Sequence, residues 1–336
     1  MTNIPLTSSE LGNLWQAYQE KSMSLHVLER FIEGSSDKDA RETLQSAYDK
    51  EFKNINTIES IFQTEGATIP NAFSKKDVNK KAPLLFDEHF YLMYLRLLSK
   101  VLIGLYSMHS GMSYRKDIFD LYKIFSVDSQ NTYYNTTQYL LHKGVLPRPP
   151  VIEMPVEAEY VNNSSYTSGL SPFKKRRPLN AVEIGLVYQT LETNITGMKM
   201  MTGYAQVAKD SDVQKYFSRG RDLAKEIIST MTDLLLESNL EAPSTWIGGA
   251  TDSTMSPFSD KMMMYNVNLF SMFGMGSEVA GGGLSFRSDL IAKMARIVTK
   301  TANFTKDGAE IRIKKGWMEE PPQATDRTKL SKGQGK

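Results

Sequence analysis

Between residues 7 and about 33, apolar side chains fall at Leu11, Leu14, Trp15, Tyr18, Leu25, Leu28 and Ile32, a one-sided stripe at helical period. The stripe returns at Ile184, Val187, Tyr188, Leu191, Ile195, Met198 and Met201. Thr7 with Glu10, and Asn180 with Glu183, place a capping side chain three residues ahead of a glutamate, which gives both glutamates a structural reason to recur. A polar break at Gly34-Ser35-Ser36-Asp37 leads into a second helix striped by Leu44, Ala47, Tyr48, Ile55, Ile58 and Phe62, answered by Phe217, Gly220, Ile228, Met231 and Leu235. Pro70 and Pro243 mark points by which these helices have ended. The loops that follow, 71–86 and 244–259, are longer than a hairpin needs and suit a crossover along a bundle. A third helix is expected after Asp87 and Asp260, each placed to cap it, through 90–108 and 263–276, with Ser110-Gly111 and Gly281-Gly282-Gly283 at its end. A fourth carries Ile118, Tyr122, Phe125, Leu140 and Leu141, against Leu290, Met294, Ile297 and Ile313.

The pattern is therefore written twice. Lys143-Gly144 before Pro147, and Lys315-Gly316 before Pro321, are matching helix stops: a basic residue in the last turn, a glycine free to turn left-handed, then prolines that cannot continue. Arg115-Lys116-Asp117 answers Arg287-Ser288-Asp289, and each Arg–Asp pair is expected to hold the junction between third and fourth helices. The fold class is all-α: two tandem four-helix bundles with the connectivity of ferritin-like domains. Residues 1–150 form the first bundle, 151–178 a linker, 179–322 the second bundle and 323–336 a polar tail that frays.

The third helices carry more apolar surface than one bundle can cover. Met262, Met263, Met264, Tyr265, Val267, Leu269, Phe270, Met272, Phe273 and Met275 surround one, and only Arg96, Ser99 and Lys100 relieve the other, whereas the first helices should leave a polar face. The third helix of one copy is thus expected to pack on that of the other, as a homodimer interface does when two copies are fused. A membrane span is the poorer reading of 90–109, because Arg96 and Lys100 sit in its middle.

Composition narrows the chemistry. A chain of 336 residues with net charge +2 and no cysteine has no global attraction for nucleic acid or anionic membranes, no disulfides and no thiolate sites, and fits a cytoplasmic setting. No signal sequence is read at the start. The basic run Lys174-Lys175-Arg176-Arg177 is too short for tight nucleic-acid binding. A di-metal bundle needs Glu-x-x-His on two helices; none occurs, and all four histidines, His26, His89, His109 and His142, lie in the first copy. His26 with Glu29 has the spacing in reverse and is the best metal candidate of an alternative reading, a divergent ferritin-like metal-binding protein or oxidase. Gly274-Met275-Gly276 and the triple glycine fit neither a dinucleotide fingerprint nor a P-loop. No catalytic, cofactor-binding or metal residue is nominated.

Ala242-Pro243-Ser244-Thr245-Trp246, Thr251-Asp252-Ser253-Thr254, Pro257-Phe258-Ser259-Asp260-Lys261-Met262-Met263 and Gly316-Trp317-Met318-Glu319-Glu320-Pro321-Pro322 resemble a tandem domain-of-unknown-function family from spore-forming Bacillota. The resemblance covers nearly the whole chain and implies kinship with ferritin-like spore coat proteins of the coat F type. It implies a non-catalytic structural or interaction protein, linked to sporulation, with a second copy of itself or coat proteins as partners. It supplies no site residues and no cofactor.

Overall fold

The computed structural model describes residues 4–171, 176–243 and 248–332; Lys174, Lys175 and Ser244-Thr245-Trp246 lie outside them. Eight long helices form in two sets of four: α1 (Ser8–Gly34), α2 (Lys38–Thr64), α3 (Glu88–Gly111) and α4 (Lys116–His142), then α5 (Ala181–Val207), α6 (Ser211–Leu236), α7 (Asp260–Gly283) and α8 (Ser288–Lys314). In each set the first pair and the last pair pack as hairpins, and the long connection between them lets the pairs lie side by side as a four-helix bundle. A short helix, α9 (Arg327–Ser331), forms in the tail that the sequence suggested would fray.

The repeated glutamates do more than cap. Glu10 Oε2 accepts the Thr7 N–H at 2.8 Å, while its Oε1 accepts the Tyr114 and Arg115 N–H groups at 2.8 and 2.7 Å, where α4 begins. Glu183 repeats this with Asn180 at 3.0 Å and with Phe286 and Arg287 at 3.2 Å. One carboxylate thus satisfies orphan donors at two helix starts in each bundle. Beside it, Arg115 grips Asp117 through Nε at 3.1 Å and Nη2 at 2.6 Å, and Arg287 grips Asp289 at 3.0 and 2.8 Å, the junction role expected of both pairs. The stops also match: Gly144 and Gly316 both have φ +68°, and the following N–H reaches back to Leu140 O at 3.1 Å and Arg312 O at 2.8 Å.

Asp260 does not cap the third helix of its copy. Ser259 does, accepting the Met262 N–H at 3.1 Å, and Asp260 instead accepts the Lys209 and Asp210 N–H groups at the α5–α6 turn. Glu88, its equivalent, does the same for Asp37 at 2.9 Å. The cap sits one residue earlier because the acid at the first helical position is occupied by the neighbouring turn.

The two bundles meet reciprocally. Val78 bridges Phe258 and Phe86 bridges Ala250, both antiparallel. Counting back from the N-caps Asp87 and Ser259, Ala250 is the counterpart of Val78, and Phe258 of Phe86. The flanking bonds exchange likewise: Asn79 N to Pro257 O at 2.9 Å mirrors Thr251 N to Leu85 O at 2.8 Å, and Asp87 N to Gly249 O at 3.1 Å mirrors Ser259 N to Asp77 O at 2.8 Å. Such reciprocity is what an isologous twofold contact produces. Near this axis α3 crosses α7: the Tyr94 hydroxyl donates to Asn266 Oδ1 at 3.1 Å, and its ring meets Phe270 edge-on at 5.3 Å. The expected packing of the third helices is therefore present, with the long loops covering part of the same surface. Phe86 lies so close to Gly203 of α5 that a Cβ there would fall 2.5 Å from its ring.

Burial of the third helices is complete only near the crossing. Met108 and Met272, further along, are exposed. The first helices are also less one-sided than expected: α1 buries Glu20, Lys21, Ser22 and Ser24, and α5 buries Thr190, Glu192, Thr193 and Thr196. By length and composition α3 could cross a membrane, but in this fold it is packed by both bundles.

Candidate functional site

The histidines are not brought together. His26 Nδ1 lies 3.7 Å from Glu29 Oε2, and Glu29 also takes the Lys80 ammonium at 2.9 Å. Among the described residues, no three His, Asp or Glu side chains converge as a group able to hold a metal. His109 is fully buried against Tyr106 and Tyr122 with neither ring nitrogen hydrogen-bonded, and burial pushes it down to about 4. A neutral imidazole serves there as an aromatic wall.

At the centre of the first bundle the helices do converge on a polar cluster. Glu20 of α1 accepts the Tyr106 hydroxyl of α3 at 2.5 Å and the Ser24 hydroxyl at 2.5 Å. The next residue, Lys21, is fully buried and donates to Glu51 of α2 at 2.9 Å, with its ammonium 4.8 Å from the Tyr106 ring and 4.2 Å from the Phe125 ring of α4. Burial, with the nearby Glu51 charge, raises Glu20 above the usual carboxylate range, against the pull of Lys21, Ser24 and Tyr106. The cluster is a carboxylate pair whose counter-ion is the chain's own lysine, capped by aromatic faces.

The corresponding place in the second bundle is differently filled. Asn194 stands where Lys21 does, Gly197 where Ser24 does, Ala224 where Glu51 does, and Glu278 of α7 where Tyr106 does. Glu278 is 2% exposed, and its Oε2 and the neighbouring Thr301 Oγ1 are both sealed from solvent with no partner beyond each other. Both line a cavity of about 60 Å³. Burial raises Glu278 to about 7.

A third cluster joins the bundles. Glu192 of α5 accepts Arg96 Nη1 at 2.8 Å and the Lys100 ammonium, both from α3; Lys100 also reaches Gln189 at 3.0 Å, and Arg96 reaches Thr137 at 2.9 Å and Tyr133 at 2.8 Å. Burial alone would raise Glu192, but Lys100 and Arg96 hold it below the usual range. In the linker, Arg177 pairs with Glu183 at 2.7 Å and Arg176 with Glu237 at 3.0 Å, so this half of the basic run is used internally.

The profile of a family described as a protein of unknown function (DUF3231) matches residues 1–157 and again 167–330. The chain belongs to the DUF3231 family. No curated protein matches. A solved structure from Bacillus halodurans, described as a candidate spore coat protein, is 16% identical, with a TM-score of 0.41, over 45% of this chain and 98% of that one.

Sequence reading missed the bundle centres, although a signal existed. Lys21 and Ser24 fall within the three-and-four spacing of Leu14, Ala17, Leu28 and Phe31, where a polar side chain must be buried.

Proposed function

We propose that this DUF3231 protein is a non-catalytic structural or interaction protein built from ferritin-like bundles, the first of which holds an internal ion pair where a metal centre would lie. The observation that carries this is Lys21. Its ammonium occupies the middle of the first bundle and neutralises Glu51, so the position that a metal ion would take between carboxylates already holds a cation supplied by the chain. A fixed lysine exchanges no ligand and undergoes no redox change, which suits a scaffold. The family resemblance supports placing that scaffold in the spore or its formation, with coat proteins or a second copy as partners.

The test is metal content. Protein purified without chelators from iron- and manganese-supplemented cells should carry well under one ion per chain, whereas about two ions per bundle would overturn the reading. Lys21→Ala, which unmasks Glu20 and Glu51, should gain measurable Mn²⁺ binding that the parent lacks.

A further inference from the structure

One face of α4 is not used by its own bundle. The helix packs on α3 and α2, and its inward rows carry Ile118, Leu121, Tyr122, Phe125 and Leu140. On the exposed side, Ile124, Val127, Asn131, Tyr134 and Gln138 follow one another at intervals of three and four residues, the seam spacing of a helix that packs on another helix. Ile124 is 53% exposed, Val127 45% and Tyr134 62%. From Lys123 to Gln138, every exposed side chain of α4 except Lys123 is uncharged.

The same rows of the second bundle are built for water. Their counterparts on α8 are Arg296, Thr299, Asn303, Lys306 and Glu310. Lys306 pairs there with Glu310 at 3.5 Å, and Arg296 reaches Glu226 of α6 at 3.7 Å. Long charged side chains hold their hydration and cost entropy to order, whereas contact surfaces shed charge and keep Tyr, which offers a wide area with few torsions. Two equivalent faces thus differ, one suited to solvent and the other to contact.

We propose that this face of α4 docks a second copy of the chain, α4 on α4 across a twofold. An uncharged strip meets its own copy without repulsion, which the Arg296 and Lys306 rows of α8 would not. Asn131 stands at the midpoint of the strip, where a twofold brings it to its own counterpart, and a carboxamide carries both the donor and the acceptor that another carboxamide needs. A single Asn at such a seam position also fixes register and favours a pair over larger bundles. The strip is modest in size. A helix of 27 residues is about 40 Å long and, at about 10 Å wide, offers about 400 Å² a side, under the roughly 600 Å² of a stable dimer, so the pairing should be reversible with a dissociation constant above about 1 µM. The contact makes specific the second-copy partner of the functional reading, and the two fail separately: metal content reports on the bundle centre, self-association on this face.

Sedimentation velocity of the full chain from about 5 to about 500 µM should show a reversible monomer–dimer equilibrium. Val127→Glu and Tyr134→Glu, at side chains exposed in the single chain, should each weaken association by about tenfold or more with an unchanged melting temperature, while Thr299→Glu at the equivalent place on α8 should leave it intact. The chain has no cysteine, so Asn131→Cys gives a single thiol that a short bis-maleimide should join into a covalent dimer, whereas Asn303→Cys should stay single. A chain monomeric throughout, which would leave the face to a foreign partner, association that survives both α4 substitutions or is lost equally with Thr299→Glu, cross-linking through Asn303→Cys in place of Asn131→Cys, or uptake of neutral lipid vesicles by the face in place of self-association would each overturn the proposal.

Discussion

Glu192→Gln tests the joint between the bundles. The carboxylate is buried with Arg96 on one oxygen at 2.8 Å and the Lys100 ammonium on the other, and both cations are themselves mostly buried. The amide keeps volume and removes the charge, leaving two cations in a low-dielectric interface. Removing one partner of a buried pair costs about 3–5 kcal/mol, and the surviving bonds of Arg96 to Tyr133 and Thr137 and of Lys100 to Gln189 place the expected loss at the lower end, about 3 kcal/mol. At about 2–4 °C per kcal/mol for a unit of this size, the melting temperature should fall by about 6–12 °C. A cycle with Arg96→Met should give a coupling of about 1–3 kcal/mol. The pH dependence follows from the depressed carboxyl: its stabilisation is full above the unfolded value near 4.5 and is lost as pH falls through the lower folded value. Wild type and variant should therefore converge in strong acid. A loss under about 1 kcal/mol at neutral pH, or a wild-type advantage that does not shrink as pH falls below about 4.5, would refute the assignment of this cluster as the electrostatic joint.

Two further outcomes are expected. His109 is held near 4, below its usual 6.5, so it stabilises the fold above about 6.5 and progressively less as pH falls toward 4; His109→Phe should flatten that slope in urea titrations between pH 7 and 4, and an unchanged slope would contradict the buried neutral ring. Gly144→Ala and Gly316→Ala, both at φ +68°, should each lower stability by about 1 kcal/mol, and the double variant by the sum, since the stops lie in different bundles.

The helices and their ends were legible because their causes are local. Gly144, Gly316, Thr7 with Glu10 and Arg287 with Asp289 act within a few residues of themselves, and repetition in a second copy doubled each signal. The second role of Glu10, holding the start of α4, was not legible, since its partners Tyr114 and Arg115 are distant in sequence and are joined by backbone donors that leave no residue signature. Asp260 failed as a cap for a related reason: Ser259 beside it is equally suited, and the choice was made by the α5–α6 turn. Arg96 and Lys100 were visible as charges in an apolar helix, but their partner Glu192 lies on a helix of the other copy. The centre of each bundle was hardest. Lys21 stands on the buried stripe of its helix, but its partner Glu51 belongs to another helix, and the void beside Glu278 exists only through what Asn194, Gly197 and Ala224 fail to fill.

The twofold contact between the copies is not exact, and one of its departures gives the joint a direction. The positions equivalent to Arg96 and Lys100 in the second copy hold Asn268 and Met272, and the position equivalent to Glu192 in the first holds Gln19. A first half facing another first half would set its two cations against a neutral amide, and two second halves would strand a pair of glutamates. The surface is therefore heterotypic: unlike halves recognise each other, like halves are disfavoured, and chains cannot multiply through this face while their own halves are joined.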